Sequence, residues 1–285
     1  MQSPPTLRKC SLASIWMGAA LCLVAAPVCF GQDGTTLARL YAKQVDRRLA
    51  LPETEQRAYA ELLAKNLAVE DTDEGQYVLI VDRNKLVQAV MIYWMSPDRV
   101  FYFIGAAPVS TGKPGKFEHF VTPTGVFAHT IDNPDFRAEG TRNQFGIRGY
   151  GIKGMRVYDF GWQKAERGWD GGGESDLRLQ MHATDPDFLA SRLGTPQSEG
   201  CIRIPASLNV FIDHYGILDR DYEQGLSAGR TFWVLPADRE PTRWSGKYLV
   251  VVDTARTTRP HWAEGNPSSR GPVRPRRGLY ASGAR

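Results

Sequence analysis

The chain has 285 residues, 42% of them hydrophobic and 23% charged, and this is the composition of an ordinary globular protein with room for one sizeable domain and appendages. Its formal charge of +4 is uneven: residues 256–285 hold seven Arg against one Glu, Arg8 and Lys9 supply two more positive charges, and residues 32–255 sum to −4. The basic character therefore belongs to the two ends, and an acidic body in an exported chain excludes nucleic acid as a partner.

Export is read from the start of the chain, where Arg8 and Lys9 precede an uncharged stretch from Cys10 to Gln32. That is the order of a secretory signal, with cleavage expected after Gly31 because small residues stand at Gly31 and Cys29 before that bond, while Pro27 disfavours a cut after Ala26. Neither Cys22 nor Cys29 is preceded by residues suited to lipid attachment. An uncleaved membrane anchor is the alternative, and both place the body outside the cytoplasm, in the periplasm or cell wall. Removing residues 1–31 leaves one cysteine, Cys201, and an unpaired thiol in an oxidising compartment is either buried and inert or kept for its nucleophilicity.

Residues 32–75 read as two helices in a helical hairpin. Leu37, Leu40, Tyr41, Val45 and Leu49 recur at helical spacing, as do Tyr59, Leu62, Leu63 and Leu67 after the helix-starting run Pro52-Glu53-Thr54-Glu55. From Gln76 the pattern turns to β: runs at 77–81, 86–94 and 100–104, broken by Asp82-Arg83-Asn84 and Ser96-Pro97-Asp98, predict an antiparallel meander. Further strands are expected at 126–130, 177–181 and 231–235, with one helix at about 206–215. The Gly-, Arg- and aromatic-rich stretch between Asp132 and Glu174 is expected to form a lid or wall over a cleft. The expected fold is mainly β with peripheral helices, its catalytic domain spanning 76–237. Residues 238–285 are read as an extension ending in a basic tail, whose Gly-, Ser- and Pro-rich composition cannot bury a core.

Cys201 stands in Gln197-Ser198-Glu199-Gly200-Cys201-Ile202-Arg203-Ile204-Pro205, a turn in which glycine lets a substrate backbone approach the thiol. A free thiol with a pKa near about 8.5 is mostly protonated at neutral pH and needs a base. Of the five His, at 119, 129, 182, 214 and 261, His182 is best placed, because it ends the predicted strand at 177–181 and strand ends present rigid catalytic groups.

Three motifs in order, Thr122-Pro123-Thr124-Gly125-Val126-Phe127, Met181-His182-Ala183-Thr184 and Ser198-Glu199-Gly200-Cys201-Ile202-Arg203-Ile204, resemble the L,D-transpeptidase catalytic domain over roughly residues 76 to 237. The resemblance implies an L,D-transpeptidase-like β-sandwich in a peptidoglycan enzyme of the periplasm or cell wall that needs no metal or other cofactor. Its cysteine forms a thioester with the third residue of a tetrapeptide stem and passes the acyl group to an amine, for wall cross-linking or protein attachment. Carried over, Cys201 is the nucleophile and His182 its base. The N–H of Cys201, helped by Gly200 or a nearby donor, forms the oxyanion hole. Ser198 shapes the turn, and Arg203 holds a stem carboxylate or makes an internal salt bridge. Acylation by carbapenem-type β-lactams is also implied.

Two positions depart from the family pattern: Glu199 replaces the usual His and Ala183 the frequent Gly. An anion at Glu199 would raise the thiol pKa unless paired, with Arg203 or Arg192 as the expected cation. The alternatives are a hydrolase on the same fold, in which water resolves the thioester, and a non-catalytic wall-binding module. A zinc peptidase built from His129, Asp132, Asp135, His182 and Asp185 is disfavoured because their spacings match no standard zinc motif.

Overall fold

The computed structural model describes residues 30–68 and 74–264. The expected export signal, apart from its last two residues, and the basic tail beyond 264 lie outside the described residues. Two helices come first, α1 (Phe30–Gln44) and α2 (Glu53–Asn66). Among the described residues nine strands follow: β1 (Gln76–Asp82), β2 (Ala89–Met95), β3 (Phe101–Pro108), β4 (Gly125–Ala128), β5 (Phe136–Arg137), β6 (Arg156–Glu166), β7 (Glu174–Ala183), β8 (Ile202–Ile204) and β9 (Tyr248–Val252). Helices α3 (Ala206–His214) and α4 (Arg220–Ser227) lie between β8 and β9. The chain is mainly β with peripheral helices, in two sheets ordered β3-β2-β1-β9-β4 and β5-β6-β7-β8.

Strand β1 is buried along its whole length, so both of its faces must be covered. Tyr77, Leu79 and Val81 join Leu179, Met181, Ile202 and Ile204 of the second sheet in the core between the sheets, while Val78 and Ile80 face a second core with Tyr59, Leu63 and Leu67. Leu37 and Tyr41 of α1, with Val45 just past its end, pack into the first core, and α2 packs into the second. The two N-terminal helices therefore lie on opposite faces of one sheet and form no hairpin. Their connection rounds the edge strand, where the Leu49 N–H donates to Ala106 O at 2.8 Å. Gly105 permits this packing, since a Cβ there would stand 2.2 Å from the Tyr41 ring. Helical periodicity reports that a stripe is buried, but not which face of a sheet buries it.

Beyond the expected end at 237, β9 is the parallel partner of β1 and the antiparallel partner of β4, in the middle of the first sheet. The folded unit thus includes part of the expected extension. The strand expected at 231–235 is a turn, and 86–88 is a turn leading into β2. The stretch 132–174 is less irregular than expected, because β5 and the eleven-residue β6 run through it. Residues 132–135, 138–155 and the β6–β7 hairpin tip remain as loops.

The base of the second sheet holds a buried ionic cluster. Arg156 is fully buried and pairs with Asp135 at 2.6 Å, Asp219 at 2.8 Å and Asp213 at 3.4 Å. His129 reaches Asp135 Oδ1 with Nε2 and Leu218 O with Nδ1, both at 2.8 Å. Both partners accept only, so both ring nitrogens donate and the ring is an imidazolium; beside Asp135 its pKa is raised despite burial, which opposes the charge. Each charge here is offset by a buried partner, which is the condition for tolerating it.

Candidate active site

Strand alternation places the site on the outer face of the second sheet. Leu179 and Met181 of β7 point into the core, so Arg178, Gln180 and His182 share the opposite face. The parallel pairs Met181 with Ile202 and His182 with Arg203 set β8 beside them, and Cys201, one residue before β8, falls next to Gln180. The sulfur lies 3.9 Å from Arg178 O. Cys201, His182 and Arg203, far apart in sequence, are thus brought together at one end of two paired strands.

The turn before the thiol is built by small side chains. Ser198 is buried; its hydroxyl donates to Cys201 O and accepts from the Gly200 N–H at 3.2 Å. The Thr122 hydroxyl donates to Gly200 O at 2.6 Å, which ties the Thr-Pro-Thr-Gly motif to the cysteine turn. Gly200 has φ +134°, and a Cβ there would meet Leu177 at 2.9 Å and Phe120 at 3.1 Å. With its N–H engaged by Ser198, Gly200 is not a free oxyanion donor. The Cys201 N–H has no partner among the described residues and is open to a ligand oxygen.

His182 is 3% exposed, and its Nδ1 lies 2.9 Å from Ala183 O. A carbonyl only accepts, so Nδ1 carries the proton and Nε2 keeps its lone pair. Burial pushes the ring pKa down to about 4, against the Ala183 carbonyl, with Arg203 adding to the depression. The ring is therefore neutral near pH 7. Burial also raises the Cys201 pKa; the Gln180 N–H and Arg203 oppose that rise, while Glu199 and Asp159 add to it. At rest the pair is thiol and neutral imidazole.

Glu199 is exposed and forms an ion pair with neither Arg203 nor Arg192. The expected pairing is absent: the Glu199 side chain lies in water, while its backbone carbonyl accepts the Phe120 N–H. Arg203 is partly buried, its Nη1 donating to Gln197 O at 3.3 Å and its Nε buried without a partner. Burial lowers its pKa against the raising effect of Glu199.

Residues 138–155 cover one side. The Tyr150 and His182 rings meet in a T-shaped contact with centroids 4.7 Å apart, and the Tyr150 hydroxyl donates to Gln180 Oε1 at 3.2 Å. This loop is latched to the end of β7, where Asp185 accepts the Arg148 N–H at 2.8 Å and Asp187 pairs with the Arg148 guanidinium at 2.7 Å. Sequence reasoning did not single out Tyr150, Gln180, Asp159 or Arg178. The period-2 pattern Arg178, Gln180, His182 was the available signal, because it puts three polar groups on one strand face.

The zinc-peptidase reading loses its ligands to other roles. His129 and Asp135 belong to the buried ionic cluster and Asp185 latches the loop, and among the described residues no group of three or more His, Cys, Asp or Glu is placed to hold a metal ion.

Residues 76–214 match the family model YkuD, the L,D-transpeptidase catalytic domain. The match covers 139 of the 285 residues, just under half of the chain. No curated protein matches the chain. Two similar solved structures are of the helical cell shape determining protein Pgp2 from Campylobacter jejuni, one of them a point mutant. The mutant is 13% identical with a TM-score of 0.29, and the other 14% identical with a TM-score of 0.26. Each alignment covers 72% of this chain and 58% of the Pgp2 chain, so this chain spans less than two thirds of that protein.

Proposed function

We propose that the protein is a cysteine acyltransferase acting on peptidoglycan tetrapeptide stems outside the cytoplasm, with Cys201 as nucleophile and His182 as base. The observation that carries this reading is the placement of His182: its Nδ1 lies 2.9 Å from Ala183 O, which leaves Nε2 as the acceptor on the sheet face it shares with Cys201. Nε2 takes the thiol proton as sulfur bonds to the carbonyl carbon of the third stem residue. The C–N bond to the terminal residue then breaks, and the imidazolium returns the proton to the departing amine. An amine acceptor next attacks the thioester, loses a proton to Nε2 and restores the thiol. The oxyanion of each tetrahedral intermediate is received by the Cys201 N–H, the open donor of the turn. No step calls for a metal.

The test is incubation of the mature protein with disaccharide-tetrapeptide, followed by mass analysis. Cross-linked dimers are expected. Tripeptide alone would replace the transferase with a hydrolase that uses water as acceptor, and absence of any product would leave a wall-binding module. Cys201→Ala abolishes turnover, and His182→Ala leaves a residual rate lower by a factor of about 10² to 10⁴.

A further inference from the structure

Two arginines flank the thiol, and they differ in what their terminal nitrogens can do. Arg203 is partly buried, with Nη1 spent on Gln197 O at 3.3 Å. Arg178 is held at one point only: its Nε donates to Asp159 Oδ2 at 2.8 Å, Nη1 and Nη2 have no partner among the described residues, and the side chain is 40% exposed. The anchor is rigid, since the Asp159 carboxylate is buried and also accepts Gln180 Nε2 at 2.9 Å and the Gly161 N–H at 2.8 Å. Trp162 stands directly opposite Arg178 on β6, and the guanidinium lies 5.9 Å from its ring centroid. That ring is 64% exposed, a large apolar surface left in water beside an open cationic fork.

We propose that Arg178, fixed by Asp159 and backed by Trp162, is a carboxylate-binding position that reads the acyl half of the substrate. Direction along β7 supplies the second part of this statement. Cys201 lies beside Gln180, with His182 two residues to one side and Arg178 two residues to the other. His182 must return a proton to the departing amine, so the leaving residue lies toward His182 and the retained acyl portion toward Arg178. A carboxylate carried by that portion meets two parallel N–H donors, the geometry in which arginine binds carboxylates most strongly.

This inference rests on the proposed acyl transfer for its substrate, so its test has two arms. In the first, kcat/KM is measured on tetrapeptide stems whose acyl-half carboxylates are free or amidated. The wild-type protein is expected to lose about 10- to 100-fold on amidation, and Arg178→Gln to lose the same on the free acid and be indifferent to amidation. Arg178→Lys, which keeps the charge but not the fork, should fall between. Equal sensitivity of the wild type and Arg178→Gln to amidation would overturn the proposal. The second arm needs no peptidoglycan: the ratio of Cys201 alkylation rates with iodoacetate and with iodoacetamide reports an anion site beside the sulfur, independently of thiol ionisation. Arg178→Gln is expected to lower that ratio several-fold, and an unchanged ratio overturns the assignment. If the wild type turns over no stem peptide, the acyl-transfer reading fails while the alkylation ratio still decides the fate of Arg178.

Discussion

The proton state of His182 has a measurable consequence for pH dependence. With a pKa near 4, against 6.5 for an exposed imidazole, about one ring in a thousand is protonated at pH 7. The acid limb of kcat/KM is therefore expected near pH 4 to 5, with activity flat through the range where an ordinary histidine titrates. The same shift enters stability. Between pH 6.5 and 4 the unfolded chain binds a proton at this residue that the folded chain refuses, so stability falls as pH falls, by at most about 3 kcal/mol for a shift of this size. His182→Gln should flatten that slope in urea denaturation followed by circular dichroism. Thiol chemistry runs the other way: with its pKa raised by burial, Cys201 should react with iodoacetamide more slowly at pH 7 than free cysteine does and accelerate toward alkaline pH. An acid limb at pH 6 to 7, or a thiol already ionised below pH 7, would show a resting thiolate–imidazolium pair and refute the neutral one.

Gly200→Ala places a Cβ 3.1 Å from that of Phe120 on a backbone with φ +134°, and should cost about 1–3 kcal/mol in chemical denaturation and slow alkylation of Cys201. Arg156→Leu leaves Asp135, Asp213 and Asp219 without their shared cation, and a loss of about 3–5 kcal/mol is expected by the same measurement. A carbapenem should add one drug mass to the intact wild-type protein and none to Cys201→Ala; a wild-type protein with a free thiol and no adduct would favour the binding-module reading.

What the sequence disclosed depended on whether the signal was local. Cys201 and His182 were legible because each sits in a short motif, and the stripes of α1 and α2 because burial repeats every three or four residues. The placement of α1 and α2 on opposite faces was not legible, since it depends on a connection that rounds β3. Helix α4 escaped notice because its eight residues, Arg-Asp-Tyr-Glu-Gln-Gly-Leu-Ser, hold just two large apolar side chains, Tyr222 and Leu226, too few to establish a period, and bury only Tyr222 and Gly225. In β6 the alternation is broken by a bulge between Asp159 and Trp162, where Gly161 adopts φ +74°, and the segment reads as loop. The pairing expected for Glu199 failed for a similar reason: charge proximity in sequence does not fix side-chain direction, and the Glu199 side chain is exposed.

The insertion of β9 between β1 and β4 gives this domain a late-closing architecture. Val78 pairs with Tyr248, so neighbours inside the first sheet stand 170 positions apart in the sequence. A contact of that span is costly to form early, and such topologies fold slowly. Until Tyr248–Val252 arrives, β1 and β4 each present an open edge to any other chain, and a fragment ending at 237 would keep those edges permanently. Domain boundaries for expression should therefore be drawn past Val252, although every residue assigned to the chemistry lies before Ile204.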